Sequence, residues 1–186
     1  MRRDKWLSLA AAVVICALAG FLAGCMNSRA DVALPKKPGH ARLARVDPAR
    51  ASVRQLIVTA YEGYWQATNE AVNSRSAATA RAILVRYIPS SAVSGLVRGM
   101  RTLWRHDETA FGAPVFHIVS VKMTGPRTAA VRDCIDLSHT GFQNRKTGAI
   151  VGGPGQSHDD LITTLAFEHG RWLVTGAIPV VQSCAY

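Results

Sequence analysis

Acidic residues are in short supply in this chain: 12 Asp and Glu stand against 22 Lys and Arg, a formal net charge of +10 over 186 residues. Charge of either sign is thin as well, at 18% of residues beside 48% hydrophobic, which excludes disorder as an account of the whole. Only one apolar run, near the N-terminus, approaches the length of a membrane span, so a polytopic membrane protein is excluded. Cysteine is limited to four positions, and the length suffices to bury a core without metal or many disulfides. Gly148, Gly152, Gly153 and Gly155 with Pro154 are not followed by Gly-Lys-Ser/Thr and have no strand-to-helix context. They are a loop and not a phosphate cradle.

What is present begins with an address. Met1-Arg2-Arg3-Asp4-Lys5 is a short basic start, and Trp6 to Leu22 carries no charge before Leu22-Ala23-Gly24-Cys25. A basic start, an apolar stretch and a small-residue cleavage site predict a secretory signal peptide over residues 1–24. The last four residues resemble the lipobox of bacterial lipoproteins. That resemblance implies cleavage after Gly24, a diacylglycerol on the Cys25 thiol and a membrane-anchored chain facing outside the cytoplasm. An uncleaved signal anchor is the other reading of the same run.

Residues 25–46 read as a flexible tether, since Asn27, Ser28, Pro35, Pro38 and Gly39 interrupt any period. Such a stretch reaches about 70 Å extended and about 25 Å as a coil. Arg29, Lys36, Lys37, Arg42 and Arg45 against Asp31 leave it at +4. Its basic charge suits an anionic lipid or cell-wall polymer, or serves only to keep a linker solvated. Nucleic acid is not expected as a partner, because an exported domain rarely meets it.

The remainder, 47–186, reads as one α+β domain of three helices followed by a sheet. Asp47-Pro48 is a helix start. From there Val53, Leu56, Ile57, Ala60, Tyr61, Tyr64, Trp65, Thr68 and Val72 recur at helical spacing over about five turns. A second helix is predicted from about Ala77 to Tyr87, with Ile83, Leu84, Tyr87 and Ile88 on one side. Pro89 and Ser90 stop it and open a third, striped by Val93, Leu96, Val97, Met100, Leu103 and Trp104 and ending near His106. Four antiparallel strands in hairpin order then follow: Val115–Met123, Thr128–Leu137, Leu161–Phe167 and Trp172–Val180. Val115, His117, Val119, Val121 and Met123 share one side of the first; Ala129, Val131, Asp133, Ile135 and Leu137 share one side of the second. His169-Gly170 is a tight turn, and the passage from Thr140 to Ser157 holds a short fifth strand or a flap.

This order resembles the nuclear transport factor two-like (cystatin-like, cone-shaped) superfamily. The segments Val131-Arg132-Asp133-Cys134-Ile135-Asp136-Leu137-Ser138 and Gly170-Arg171-Trp172-Leu173-Val174, with a terminal Cys184, are similar to small exported proteins and lipoproteins of actinobacteria. The resemblance implies three helices packed on a curved antiparallel sheet of four strands, or five, over roughly Asp47 to Tyr186. It leaves function open, because the fold hosts enzymes, transport factors and scaffolds alike.

With Cys16 lost in the signal peptide and Cys25 lipidated, Cys134 and Cys184 are left to pair as a disulfide. A zinc site of Cys134 with His139 and His158 fits no standard ligand spacing, so no metal is expected. Cone-shaped enzymes such as ketosteroid isomerase or polyketide cyclases place an Asp or an Asp–His pair in the cavity, with tyrosines opposite. The residues here that would line such a pocket are Tyr61, Tyr64, Trp65, Tyr87, His117 and Trp172. Asp133 and Asp136 lie on opposite faces of one strand, and pairing with Arg132 or Arg127 would make them ordinary sheet residues. Asp159-Asp160 reads as a solvated turn. No nucleophile–base constellation is visible, so no catalytic residue or cofactor is assigned. The expected function is a binding or accessory module of the cell envelope, holding an apolar ligand or a protein. A scaffold component of a conjugative or type IV-like secretion assembly is the alternative, and an isomerase-like or cyclase-like enzyme a further one.

Overall fold

The computed structural model describes residues 52–152, 159–180 and Cys184. The expected signal peptide, Cys25, the tether, Asp47-Pro48, His158 and part of the glycine-rich passage lie outside them. Among the described residues the fold is α+β, with three helices and seven strands in two antiparallel sheets.

Helix α1 runs Val53–Ser74 and starts at its Ser52 cap. The Ser52 hydroxyl accepts from the Gln55 N–H at 3.3 Å, and the Gln55 carboxamide accepts from the Ser52 N–H at 2.8 Å. This reciprocal box satisfies two donors that the first turn otherwise leaves open. The helix ends at Arg75, whose φ of 52° is left-handed. From the last turn, Asn73 acts on a strand: its side chain accepts from the Ala110 N–H and donates to the Ala110 carbonyl. Helix α2, Ala77–Leu84, is capped by Ser76 and stops three residues before the expected Tyr87. Helix α3, Ser90–Arg105, buries Val93, Val97, Met100 and Leu103 at the predicted spacing.

The main sheet has strand order β2-β3-β6-β7, from β2 (Ile118–Gly125), β3 (Thr128–Ile135), β6 (Asp159–Glu168) and β7 (Arg171–Pro179). These are the four expected strands in hairpin order. The β6–β7 turn is tight because His169 and Gly170 both take positive φ, 50° and 79°, matching the twist of the flanking strands. The second sheet, order β1-β4-β5, joins β1 (Glu108–Phe111) to a hairpin of β4 (Gly141–Asn144) and β5 (Ile150–Gly152). It replaces the single extra strand or flap expected between Thr140 and Ser157. The strand β1 was not anticipated, for its four residues are too few to show alternation.

The first expected strand is corrected at its start. Val115 makes only an isolated bridge to Asp136, and a bulge between Ile118 and Ser120 reverses the alternation. Phe116, Ile118 and Val121 therefore pack toward the core, while Val119 is 59% exposed. The second strand follows its prediction: Ala129, Val131, Asp133 and Ile135 are all buried together. The core lies between that face and α1–α3, with Ile57, Tyr61, Leu84, Val97, Leu165 and Trp172 at its centre.

Candidate functional site

An aspartate sits inside this apolar core. Alternation on β3 aims Asp133 at α1, where helical spacing aims Tyr61 back at it, and both are 0% exposed. The Tyr61 hydroxyl donates to Asp133 Oδ2 at 2.9 Å, and the His117 N–H donates to Oδ1 at 2.7 Å. Each carboxylate oxygen thus has a donor, which a buried acid needs. Burial raises the Asp133 pKa, and the bonds from Tyr61 and His117 pull it partly back. Burial also raises the Tyr61 pKa, helped by the adjacent carboxylate.

The surroundings are aromatic. Phe116 meets the Tyr61 ring edge-on at 5.5 Å, and Trp65 meets Tyr64 at 5.9 Å. Thr163, 1% exposed, and Trp65 approach the Tyr61 hydroxyl and lower its pKa. The Trp65 Nε1 is itself buried and has no well-formed hydrogen bond. Glu62, next on α1, has its pKa raised by burial and by the nearby Asp133.

The six residues expected to line a pocket are dispersed. Tyr61 meets Asp133, and Trp65 approaches the Tyr61 hydroxyl. Tyr64 is half-buried, with its pKa raised by burial. Tyr87 is half-buried against Gly63, whose absent Cβ would lie 2.5 Å from Tyr87 Cε1. Trp172 is a core residue packed on Phe167 at 5.4 Å. His117 is a correction: its side chain is exposed, because the strand pairs regularly only from Ile118 and its bulge reverses the faces. What His117 supplies to the interior is its backbone N–H.

Two further expectations are revised. Asp133 pairs with Tyr61 and not with Arg132 or Arg127. Arg132 instead forms a two-point ion pair with Asp160 on the opposite sheet face, with Nε 3.0 Å from Oδ1. Asp160 is therefore not in a solvated turn but in β6, its side chain 1% exposed and its pKa lowered chiefly by the bond from Arg132. Beside it, Cys134 forms the expected disulfide with Cys184. Asp136 lies off the core face and accepts from the Ser138 N–H at 2.8 Å.

Sequence reasoning did not pair Asp133 with Tyr61 or notice Glu62. The signal was available in part: Asp133 shares its strand face with Ala129, Val131 and Ile135, so a buried partner had to exist for it.

Two surface depressions, of about 470 and 310 Å³, lie on the helical layer. Arg98, Arg101, Thr102, Trp104 and Arg105 line the first, and Arg81, Ala82, Val85, Ser90 and Val93 the second. Neither is lined by Asp133 or Tyr61. Among the described residues no cluster of His, Cys, Asp and Glu is placed to hold a metal, and no helix is long and apolar enough to cross a membrane.

No family model matches the sequence, and no curated protein matches it. Among solved structures, the chain is similar to the intermembrane space region of the chloroplast protein ARC6, at 8% identity over 72% of this chain and 99% of that one, TM-score 0.50. A ketosteroid isomerase-like protein from Erwinia carotovora atroseptica aligns at 16% identity over 66% and 91%, TM-score 0.41. An NTF-2 like protein of unknown function from Shewanella oneidensis aligns at 14% over 68% and 97%, TM-score 0.41. At such identities the likeness is one of fold alone.

Proposed function

We propose that this chain is an exported, lipid-anchored envelope protein whose cone-shaped domain binds partners through its outer surfaces and performs no chemistry in its interior. The observation that carries the reading is the closure of Asp133. Asp133 is 0% exposed, and its two oxygens are taken by the Tyr61 hydroxyl and the His117 N–H. A general base needs its lone pair within reach of a substrate proton, directly or through one water. The Cys134–Cys184 disulfide supports export, since such bonds persist in oxidising compartments. Lipid on Cys25 and a protein or apolar partner complete the reading.

The test is the intact mass of the native protein taken from membranes, before and after reduction. A mass beginning at Cys25 with a diacylglyceryl group, rising by about two protons on reduction, is the expected result. A mass beginning at Met1 overturns the lipid anchor and favours a signal-anchored scaffold component.

One observation favours a second reading. The raised Asp133 pKa and the facing Tyr61 hydroxyl are the pair that isomerases of this fold use as base and oxyanion donor. That chemistry requires Tyr61 to swing off Asp133 and a ligand to replace it. Proton exchange of a 3-oxo-Δ5-steroid, abolished by Asp133→Asn, would establish it.

A further inference from the structure

The helical layer carries an uneven share of the charge. Residues 77–106 contain Arg81, Arg86, Arg98, Arg101 and Arg105 and no Asp or Glu, half of the chain's net +10. On α3 the buried stripe of Val93, Val97, Met100 and Leu103 leaves Arg98, Arg101 and Arg105 at helical spacing on the opposite, exposed face. The same face is otherwise small, with Ser91, Ser94, Gly95 and Gly99, so the guanidinium groups stand clear of the backbone. Arg81 joins the ridge from α2 by donating to the Ser94 hydroxyl at 2.9 Å. Among the described residues these four arginines make no ion pair, whereas Asp107 draws Arg75, Arg145 and Lys146 to itself. The three α3 arginines, with Thr102 and Trp104, line the depression of about 470 Å³.

We propose that this arginine ridge is a docking surface for the anionic phosphate headgroups of a lipid bilayer. Four positive charges without a carboxylate among them complement a phosphate array, and guanidinium groups bind phosphate by paired N–H donors. The chain outside the described fold supplies the second argument. The segment from Cys25 to Ala51 leads into the N-terminus of α1, and a coil of its length would span about 30 Å, so a lipid on Cys25 would keep the domain close to the membrane. The ridge lies at the far end of that helix: Trp104 Nε1 donates to the Val72 carbonyl at 2.6 Å. From Ser52 to Val72 is about 30 Å along the axis. Lipid at one end and arginines at the other hold the domain on its side, with the helical layer against the headgroups and the main sheet facing away. This inference rests on the proposed lipid anchor for its biological setting, but not for its measurement.

The experiment is co-sedimentation of the mature chain carrying Cys25→Ser, hence without lipid, with vesicles of 30% phosphatidylglycerol in phosphatidylcholine at low salt. The triple variant Arg98→Gln, Arg101→Gln, Arg105→Gln is expected to partition about 100-fold more weakly, at roughly fivefold per basic residue near an anionic surface. Lys122→Gln, Arg127→Gln, Arg171→Gln, which removes the same charge from the sheet side, is expected to lose less than tenfold. The single variant Arg101→Glu keeps the test sharp where the triple variant folds poorly. Equal losses in the two triple variants overturn the proposal, as does absence of vesicle binding by the parent chain. Selective binding to a soluble anionic wall polymer instead of vesicles also overturns it. Since the lipid is absent throughout, failure here is separate from failure of the anchor, which is read by the mass of the native protein.

Discussion

Removal of one hydroxyl from the core tests the closed interior. Tyr61→Phe keeps the ring against Phe116 but takes the donor from Asp133 Oδ2, leaving a fully buried carboxyl with only the His117 N–H. Leaving a buried polar group short of a partner costs about 2 kcal/mol. For a domain of this size that lowers Tm by about 8 °C. The pH dependence gives the test its specificity. Burial raises the folded pKa of Asp133 above its unfolded value near 3.9. The folded state therefore holds this proton to higher pH than the unfolded state, so ionisation of Asp133 costs stability as pH rises through the window between the two values. Tyr61 favours the ionised form, so its loss moves the upper edge of the window further up. Thermal unfolding of both proteins at pH 4 and pH 8 should show the Tyr61→Phe penalty growing with pH. Asp133→Asn should flatten this contribution, leaving the slopes from Glu62, Asp107 and Asp160. An identical penalty at the two pH values, or an unchanged slope in Asp133→Asn, would refute the assignment of Asp133 as a buried, tyrosine-held acid.

Other perturbations probe the frame around it. Reduction of Cys134–Cys184, 50 residues apart, or Cys184→Ala, should cost about 4 kcal/mol by loop entropy, seen as a Tm lowered in reductant. Gly63→Ala should destabilise by about 1 kcal/mol net, because the clash with Tyr87 outweighs a gain in helix propensity of about 1 kcal/mol. In a Tyr87→Ala background the same change should become stabilising, and denaturant titration of the four proteins gives both signs. Asp107, whose pKa is lowered chiefly by the bond from Lys146, contributes stability that is present above its unfolded value near 3.9 and lost as pH falls through the lower folded value. Asp107→Asn should therefore destabilise at pH 6 and make no difference at pH 2, again by thermal melts.

Where one periodicity ran unbroken, the fold was legible in the sequence. The α3 stripe, the Ala129 to Ile135 alternation and the His169-Gly170 turn each follow from local spacing and from one backbone preference. The failures are where spacing is interrupted. A single bulge after Ile118 turned Phe116 inward and His117 outward, and no count of alternating residues reveals a bulge. The second sheet was missed because β1 and β5 are too short to show a period, and β1 pairs with β4 about thirty residues on. Asp133 was placed on the correct face and then explained by the wrong partner. Sequence neighbours suggested arginine, whereas the donor came from a helix 72 positions away. Alternation assigns a face; it does not say which side chain waits across the core.

The two sides of the sheet divide the work of the acids. On the core side Asp133 is met by a neutral hydroxyl, and burial dominates its titration; on the outer side Asp160 is met by a guanidinium, and its pKa falls. Yet the two lie one residue apart in register, since Asp160 pairs with Cys134 and Asp133 with Leu161. The outer side is fixed by charge and by a covalent bond, with Val180 N–H bonded to the Asp160 carbonyl and the chain returning to Cys134 through Cys184. An interior acid held only by hydrogen bonds keeps its position because β3 cannot shift while its other face is stapled. Among the described residues Arg81, Arg98, Arg101 and Arg105 of the helical layer form no ion pair, unlike Arg75, Arg132, Arg145 and Lys146.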